Sequence, residues 1–541
     1  MVRTVTLRPW QKTALERLSA TVEPDFLAVA TPGAGKTTFA LTAARQALAT
    51  DAGRRLVVVV PTVHLKEQWA RAASAFDLHL DPHWSAVEGG LPADMHGVAV
   101  TYQQVAGCAE VLRGLSANAM VVFDELHHAA EDRVWGDSLR HAFAAAPRRL
   151  ALSGTPFRSD THAIPFVRYT LDEAVPDFEY GYADALADGG VVRPVYFPRV
   201  DGHMEWSAPD GRVHAHSFED PLDAARAGQR LRTAYSVEGE WLPHVLRQAH
   251  ERLLAIRQRQ PDAGGLVIAT DQEHARGIVR LLRDRLKVRA VVATSDDPDA
   301  SALISRFGAG TDPWIVAVRM VAEGVDIPRL RVGVFATTTT TELFFRQAVG
   351  RLVRWTRGSS GQKSFLYIPD EPRLRARAFA IAEQRRHSLR RSEREPPTDP
   401  AEASGGEDDQ LSLFAPISAV PLTDGTDPDW VLDGDDLSDP TSDAALTIPL
   451  PPLPPGRRGT TASAAEGRTR REHKALLRKA NAEVGRLIAH HTGLTHAGVN
   501  AELNRASGLD KISQATVEQL ERRLVRAEQW LRQASSRRVP G

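Results

Sequence analysis

Three short segments of this chain carry residue types suited to one chemistry. The first is Ala30-Thr31-Pro32-Gly33-Ala34-Gly35-Lys36-Thr37-Thr38. Gly33 and Gly35, flanking Ala34, let backbone N–H groups crowd a phosphate. Lys36 would neutralise β- and γ-phosphates, and Thr37 would hold Mg²⁺. A helix expected from Thr38 onward adds its positive end. The second segment is Val121-Val122-Phe123-Asp124-Glu125-Leu126-His127-His128. Buried strands seldom end in adjacent acids unless those acids have a task. Asp124 would share the Mg²⁺ with Thr37, and Glu125 would orient and deprotonate an attacking water. The third is Gln347-Ala348-Val349-Gly350-Arg351-Leu352-Val353-Arg354. Arg351 and Arg354 lie three apart, so both can face one side of a helix and meet developing phosphate charge. The glycine ahead of Arg351 is a poor choice for a purely structural helix. Together the three describe hydrolysis of a nucleoside triphosphate, with ATP and Mg²⁺ as the expected cofactors.

The elements that must position these residues are legible as apolar runs. Phe26–Ala30, Leu56–Val60, Gly97–Thr101, Met120–Phe123 and Leu150–Ser153 read as strands, each followed by a turn and a helix-like stretch. Such alternation implies a mostly parallel sheet covered on both faces, with ligands at the carboxyl ends of its strands. A similar block holds Gly265–Ala269, Val288–Ala293, Trp314–Arg319, Arg331–Ala336 and Ser364–Ile368. The expected organisation is therefore α/β. Residues 1–165 form a first nucleotide-binding domain, 166–239 a connecting segment and 240–395 a second parallel-sheet domain. Residues 396–468 form a disordered acidic linker, and 469–541 a small basic helical domain. Val191–Val195 is the candidate strand that begins the crossover. Near the end, Thr516 and Gln519 can form a capping box, with Val517, Leu520, Leu524, Ala527 and Leu531 on one face of the helix that follows.

Length and composition fit this organisation. The chain has 541 residues, 42% hydrophobic and 25% charged, the balance of a soluble multidomain protein. Its one cysteine, Cys108, cannot form an internal disulfide, so a reducing, cytoplasmic setting is expected. No charged-then-apolar leader opens it, and its most apolar run, Leu56–Val60, is too short to span a bilayer. The net charge of −1 conceals an asymmetry: Pro396 to Pro455 holds 13 Asp/Glu and no Lys/Arg, while Arg457 to Gly541 holds 17 Lys/Arg against 8 Asp/Glu. A basic tail suggests a polyanionic partner. Arg468, Arg470, Arg471, Lys474, Arg478 and Lys479 would either grip a nucleic-acid backbone or form the solvated face of a helix.

With these segments in this order, the chain resembles superfamily 2 DEAD/DEAH-type helicases of the DExH kind, over about residues 5–370. Leu7-Arg8-Pro9-Trp10-Gln11 resembles the segment that reads adenine, with Gln11 as the contact. Pro61-Thr62 with Gln68 resembles motif Ia, and Thr101-Tyr102-Gln103 motif Ib. Ser153-Gly154-Thr155-Pro156 resembles motif III, Gly324-Val325-Asp326 motif V, and Gln347 to Arg354 motif VI. Ser-Gly-Thr-Pro-Phe-Arg followed by Asp160 is closest to the XPB-like and type III restriction-enzyme branches, which mostly act on DNA. The resemblance implies two tandem RecA-like domains with ATP and Mg²⁺ in the cleft between them. Gly324 and Asp326 would add to the nucleotide site. His127, Ser153, Thr155 and Gln347 would couple hydrolysis to movement. Thr62, Gln68, Thr101 and Thr270 would touch the nucleic-acid backbone without reading bases. Ala30 replaces the first glycine of the phosphate loop, and Asp-Glu-Leu-His argues against an RNA-type DEAD box.

One further pattern falls in the acidic stretch. Gln410-Leu411-Ser412-Leu413-Phe414 resembles the pentapeptide by which bacterial repair and replication proteins dock on the sliding clamp. Gln410, Leu411, Leu413 and Phe414 would make that contact from a disordered segment. No nuclease, protease or methyltransferase constellation is present, so any cutting would need a partner subunit. The expected function is an ATP-dependent DNA helicase or translocase in bacterial repair, replication or defence. The alternatives are the motor subunit of a restriction-like complex and an ATP-gated clamp or scaffold that never moves along the strand.

Overall fold

A computed structural model describes residues 4–88, 91, 94–127, 133–154, 164–170, 173–207, 212–294, 297, 300–318, 327–356, 361–391, 415–423, 446–454, 470–509 and 512–536. The chain divides into two compact units. One comprises Met1–Ala28, Lys36–Phe178 and Ala444–Gly541; the other comprises Val29–Gly35 and Glu179–Asp443.

A seven-stranded sheet organises the first unit. Its order is Phe178–Tyr180, Asp25–Ala30, Arg148–Ser153, Ala119–Asp124, Arg55–Val60, Gly97–Thr101 and Leu80–Asp81. The last of the Asp25–Ala30 strand and the loop after it, through Gly35, group with the second unit. The five longer strands are the five expected from the sequence, each within two residues of its expected bounds. They are buried nearly throughout, as continuous Val/Leu/Ala runs in a parallel sheet must be. Strand Arg55–Val60 pairs in parallel with both Gly97–Thr101 and Ala119–Asp124, which pairs in parallel with Arg148–Ser153. Gly97 is required here, since a Cβ would lie 1.7 Å from the Leu56 carbonyl oxygen.

The second unit repeats the plan. Its parallel sheet runs Val195–Tyr196, Ser364–Pro369, Leu330–Ala336, Gly264–Ala269, Trp314–Ala317 and Ala290–Ala293, with Arg199–Val200 also on Ser364–Pro369. The two sheets are tandem RecA-like domains, the fold class the sequence indicates. Three strands are shorter than expected, the expected Trp314–Arg319 ending at Ala317. Val191–Val195 contributes only Val195–Tyr196 to the sheet, while Val192 makes an isolated bridge to Arg354. The expected Val288–Ala293 strand begins at Ala290 because Lys287, at φ 57°, ends helix Gln272–Leu286 in a left-handed cap. Val288 then donates its N–H to Leu282 as the chain leaves the helix.

The connecting segment 166–239 contains an antiparallel hairpin, Gly202–Ser207 with Val213–Ser217. Its third partner is Ala415–Pro421, from within the presumed disordered linker. A second strand of that linker, Leu446–Pro449, pairs with Thr4–Leu7 in the first unit. The linker expectation of 396–468 is corrected in these two places, where the chain adds a strand to each sheet. Gln410, Leu411, Leu413 and Phe414 lie outside the described residues, just ahead of the first of these strands.

Three helices, Arg470–Thr492, His496–Ser507 and Val517–Ser536, close the chain. The capping box forms as expected, with Gln519 N–H donating to Thr516 Oγ1 at 3.2 Å and Thr516 N–H to Gln519 Oε1 at 2.9 Å. Leu520 and Ala527 are fully buried, and Leu531 packs on the cluster of Ile488, Val499, Leu503 and Ala527. Arg470 and Lys474 depart from both readings given for the six basic residues of the tail. Each is almost fully buried, and each is spent on Asp94: Lys474 Nζ is 2.8 Å from Asp94 Oδ1, and Arg470 donates to the Asp94 carbonyl at 2.7 Å. Val517 N–H completes the set on Asp94 Oδ2 at 3.0 Å. Among the described residues no helix is long and apolar enough to cross a membrane.

Candidate nucleotide site

The phosphate loop leaves a buried strand and enters a helix, the setting its chemistry requires. Gly33 at φ 86° and Gly35 at φ 96° take left-handed conformations that other residues adopt only under strain. Ala34, buried between them, closes the turn by donating to the Thr31 carbonyl at 3.1 Å. Helix Lys36–Thr50 then begins with Lys36 and Thr37 in its first turn. The following Thr38 is half-buried, and its carbonyl accepts from the Thr42 hydroxyl at 2.7 Å.

Asp124 is the last residue of strand Ala119–Asp124, and Glu125 turns out of it at φ 49°. A non-glycine residue in that region costs about 1–3 kcal/mol and marks a backbone held by its surroundings. The turn aims the Glu125 carboxylate at the lysine. Lys36 Nζ lies 3.0 Å from Glu125 Oε1. The other oxygen accepts from Gly154 N–H at 3.0 Å and stands 3.7 Å from His127 Nδ1. Burial alone would raise the Glu125 carboxyl. The Lys36 charge, His127 and the two hydrogen bonds outweigh it and hold the group well below the usual carboxylate range.

Two side chains not singled out by sequence reasoning hold the neighbouring acid. Trp69 donates its indole N–H to Asp124 Oδ2 at 2.8 Å, and Tyr102 donates its hydroxyl to the Asp124 carbonyl at 3.0 Å. The available signal for Trp69 was its type: a buried indole nearly always finds a partner for its N–H. The donor set of Thr37 hydroxyl and Asp124 carboxylate is hard oxygen, which fits Mg²⁺ rather than a softer metal.

Other expected site residues occupy definite places. Gln11 is buried at the third position of helix Pro9–Ala20, with its Oε1 accepting from Arg8 N–H at 2.8 Å. Thr62 caps helix Val63–Ala75 without a side-chain cap bond, whereas Thr101 accepts from Gln104 N–H at 3.1 Å. Gln68 Nε2 is 2.8 Å from His64 Nε2. Thr270 donates to the Ala336 carbonyl at 3.3 Å. Ser153 is fully buried at the end of its strand. Thr155, Gly324 and Asp326 lie outside the described residues.

Gln347 and Arg351 sit on helix Glu342–Leu352, but Arg354 does not. The helix stops at Val353, whose carbonyl accepts from Arg193 N–H at 2.8 Å, and Arg354 continues into the bridge with Val192. The shared helical face expected for the two arginines is therefore replaced by a helix and its exit. Within the same unit, a Cβ on Gly33 would come 3.1 Å from Arg354 Cδ, and one on Gly350 would come 2.6 Å from Pro32 Cγ. The phosphate loop and the arginine segment thus meet at two glycines.

Comparison with known proteins bears on the family. Residues 4–158 match the type III restriction enzyme res subunit model, and residues 247–356 match the helicase conserved C-terminal domain. The chain is 40% identical over 573 residues to Uncharacterized protein MT2985 of Mycobacterium tuberculosis, covering 98% of this chain and 93% of the relative. It is 25% identical over 322 residues to the DNA 3'-5' translocase XPB2 of Sulfurisphaera tokodaii, covering 55% and 69%. It is 23% identical over 244 residues to the putative mitochondrial ATP-dependent helicase irc3 of Schizosaccharomyces pombe, covering 44% and 36%. Fold, site and matches define a nucleic-acid helicase or translocase that uses ATP. The chain belongs to the superfamily 2 helicases, in the branch of XPB-like and type III restriction-enzyme proteins.

Proposed function

We propose that this protein is a DExH-type motor that hydrolyses ATP to move along DNA, serving bacterial repair, replication or defence. The observation that carries the catalytic part is the Lys36–Glu125 ion pair at 3.0 Å. In this arrangement the base is held ionised and weak by the cation beside it. The triphosphate of ATP would draw Lys36 away, and the Glu125 carboxylate would then regain affinity for a proton from water. Gly154 N–H keeps the carboxylate aimed while that exchange occurs. Thr37 and Asp124 would hold Mg²⁺, which supplies charge neutralisation at the β- and γ-phosphates. Arg351 and Arg354 would stabilise the charge that develops on the transferred phosphoryl group. His127, Ser153, Thr155 and Gln347 would relay the change of state.

DNA as the track is supported by the branch and by the DNA translocase among the relatives. Thr62, Gln68, Thr101 and Thr270 suit contact with a phosphate backbone, which needs no base reading. Gln410 to Phe414 would add docking on a bacterial sliding clamp, and a peptide of residues 406–418 with no clamp affinity would remove that element. The decisive test is ATP turnover stimulated by single-stranded, duplex or forked DNA, or by RNA. Stimulation by DNA over RNA is expected, falling steeply with salt. Stimulation by RNA alone overturns the DNA assignment, and no stimulation overturns the motor.

A further inference from the structure

We propose that Trp69 is a positioning residue: its indole aims the Asp124 carboxylate at the metal position and, with Tyr102, ties that strand end to the helices that open at Thr62 and Thr101. The inference deepens the reading above and rests on Asp124 being the Mg²⁺-holding acid.

The chemistry of the donor is what distinguishes this contact from packing. Trp69 lies 2% exposed with its N–H 2.8 Å from Asp124 Oδ2. An indole has one donor and no acceptor, and it carries no charge. It therefore holds one carboxylate oxygen in place while leaving the negative charge for a cation. A lysine or arginine at this position would orient the acid equally well but would neutralise it. Partners of this outer kind typically alter metal affinity 10–100-fold when removed.

A second tie fixes the same strand end through its backbone. The Tyr102 hydroxyl, fully buried, donates to the Asp124 carbonyl at 3.0 Å. That carbonyl belongs to the peptide joining Asp124 to Glu125, whose φ of 49° aims the base. Tyr102 therefore bears on Glu125 as Trp69 bears on Asp124. Each donor stands on a helix whose first turn carries an expected nucleic-acid contact. Trp69 is two turns into Val63–Ala75, capped by Thr62, and Tyr102 is the first residue of Tyr102–Ser116, capped by Thr101. A strand gripped at either threonine would shift a helical segment bonded to Asp124. This is a physical route by which nucleic acid could set the rate of hydrolysis.

The test uses the full-length chain carrying Trp69→Phe, which keeps the ring and removes the N–H. Binding of a fluorescent ADP analogue is titrated with Mg²⁺, and folding is checked by thermal melting. The expected result is a roughly tenfold rise in the Mg²⁺ midpoint, with Mg²⁺-free nucleotide affinity unchanged. DNA stimulation of turnover is expected to fall in Trp69→Phe and in Tyr102→Phe. A folded Trp69→Phe protein with the parental Mg²⁺ midpoint overturns the proposal. Should that variant not fold, indole ¹⁵N NMR of the parental protein replaces it. One of its 10 tryptophan signals, assigned through Asp124→Asn, must move with Mg²⁺ and ADP but not with ADP alone; no such movement overturns the proposal. A parental protein whose nucleotide binding ignores Mg²⁺ overturns the metal reading itself, a failure visible before any variant is made.

Discussion

Lys36 and Glu125 neutralise each other across 3.0 Å, although the chemistry expected of them requires that they part. The Lys36 charge outweighs the effect of burial and keeps the Glu125 carboxyl ionised. Gly154 N–H donates to the other carboxylate oxygen at 3.0 Å, a tie that does not depend on the lysine.

Glu125→Gln should lower turnover by about 10²–10⁴-fold, the usual contribution of a positioned base, while nucleotide affinity is retained. Single-turnover hydrolysis beside equilibrium binding separates the two. Unchanged turnover would remove Glu125 from its role.

Replacement of Lys36 has a different signature. Lys36→Ala removes the donor for the phosphates and should cost about 10²–10³-fold in turnover, with weaker triphosphate binding as well. ATP and ADP affinities measured side by side check this: the loss should be larger for ATP.

Gly33 tests the loop. Gly33→Ala places a Cβ at φ 86°, 3.1 Å from Arg354 Cδ, so nucleotide binding should fall at least tenfold. Gly107→Ala is the control. It precedes the kink at Cys108 in Tyr102–Ser116 with nothing within 4 Å of the new methyl, and its stability should stay within about 1 kcal/mol of the parent. Isothermal binding and melting curves report both, and equal behaviour of the two variants would dismiss the strained loop.

At the tail, Asp94→Ala leaves Lys474 buried without its carboxylate and Val517 N–H without its acceptor. Breaking a buried pair in this way costs about 3–5 kcal/mol. Helices Arg470–Thr492 and Val517–Ser536 should become early sites of proteolysis. A parental digestion pattern in Asp94→Ala would contradict the docking described here.

Acid should act on the same region through His79. Burial pushes this imidazole below its ordinary value of 6.5, with Arg470 adding to the effect and Asp77 opposing it. The folded form therefore binds fewer protons than the unfolded form below that value. Its contribution is intact above about pH 6.5 and declines as pH falls through the window beneath. Urea unfolding between about pH 5 and 7.5 should show this slope, and His79→Gln should flatten it. An identical slope in the variant would assign the acid sensitivity elsewhere.

Local and continuous features were the legible ones. Leu56–Val60 and Met120–Phe123 announce buried parallel strands because both of their faces are covered, leaving no alternation to hide them. Thr516 and Gln519 announce their cap because the partners are three residues apart. What escaped depends on residues far apart in the chain. Arg470 and Lys474 looked solvated because nothing near them reveals Asp94. Trp69 went unnoticed because its partner is the acid at the end of another strand. Gly202–Ser207 was obscure because one of its neighbours, Ala415–Pro421, comes from a stretch whose acidic surroundings suggested no structure at all. Arg354 was placed on a helix by its spacing, whereas Val353 ends that helix one residue earlier.

Asp94 presents two carboxylate oxygens to two donors from distant points of the tail, and its own carbonyl to a third. Asparagine has the same shape but turns one of those oxygens into a donor, setting hydrogen against hydrogen. Glutamate has both oxygens but carries them one methylene too far. Descendants of this sequence can therefore rewrite the surface of the closing helices freely, while the loop position that receives them admits a single letter.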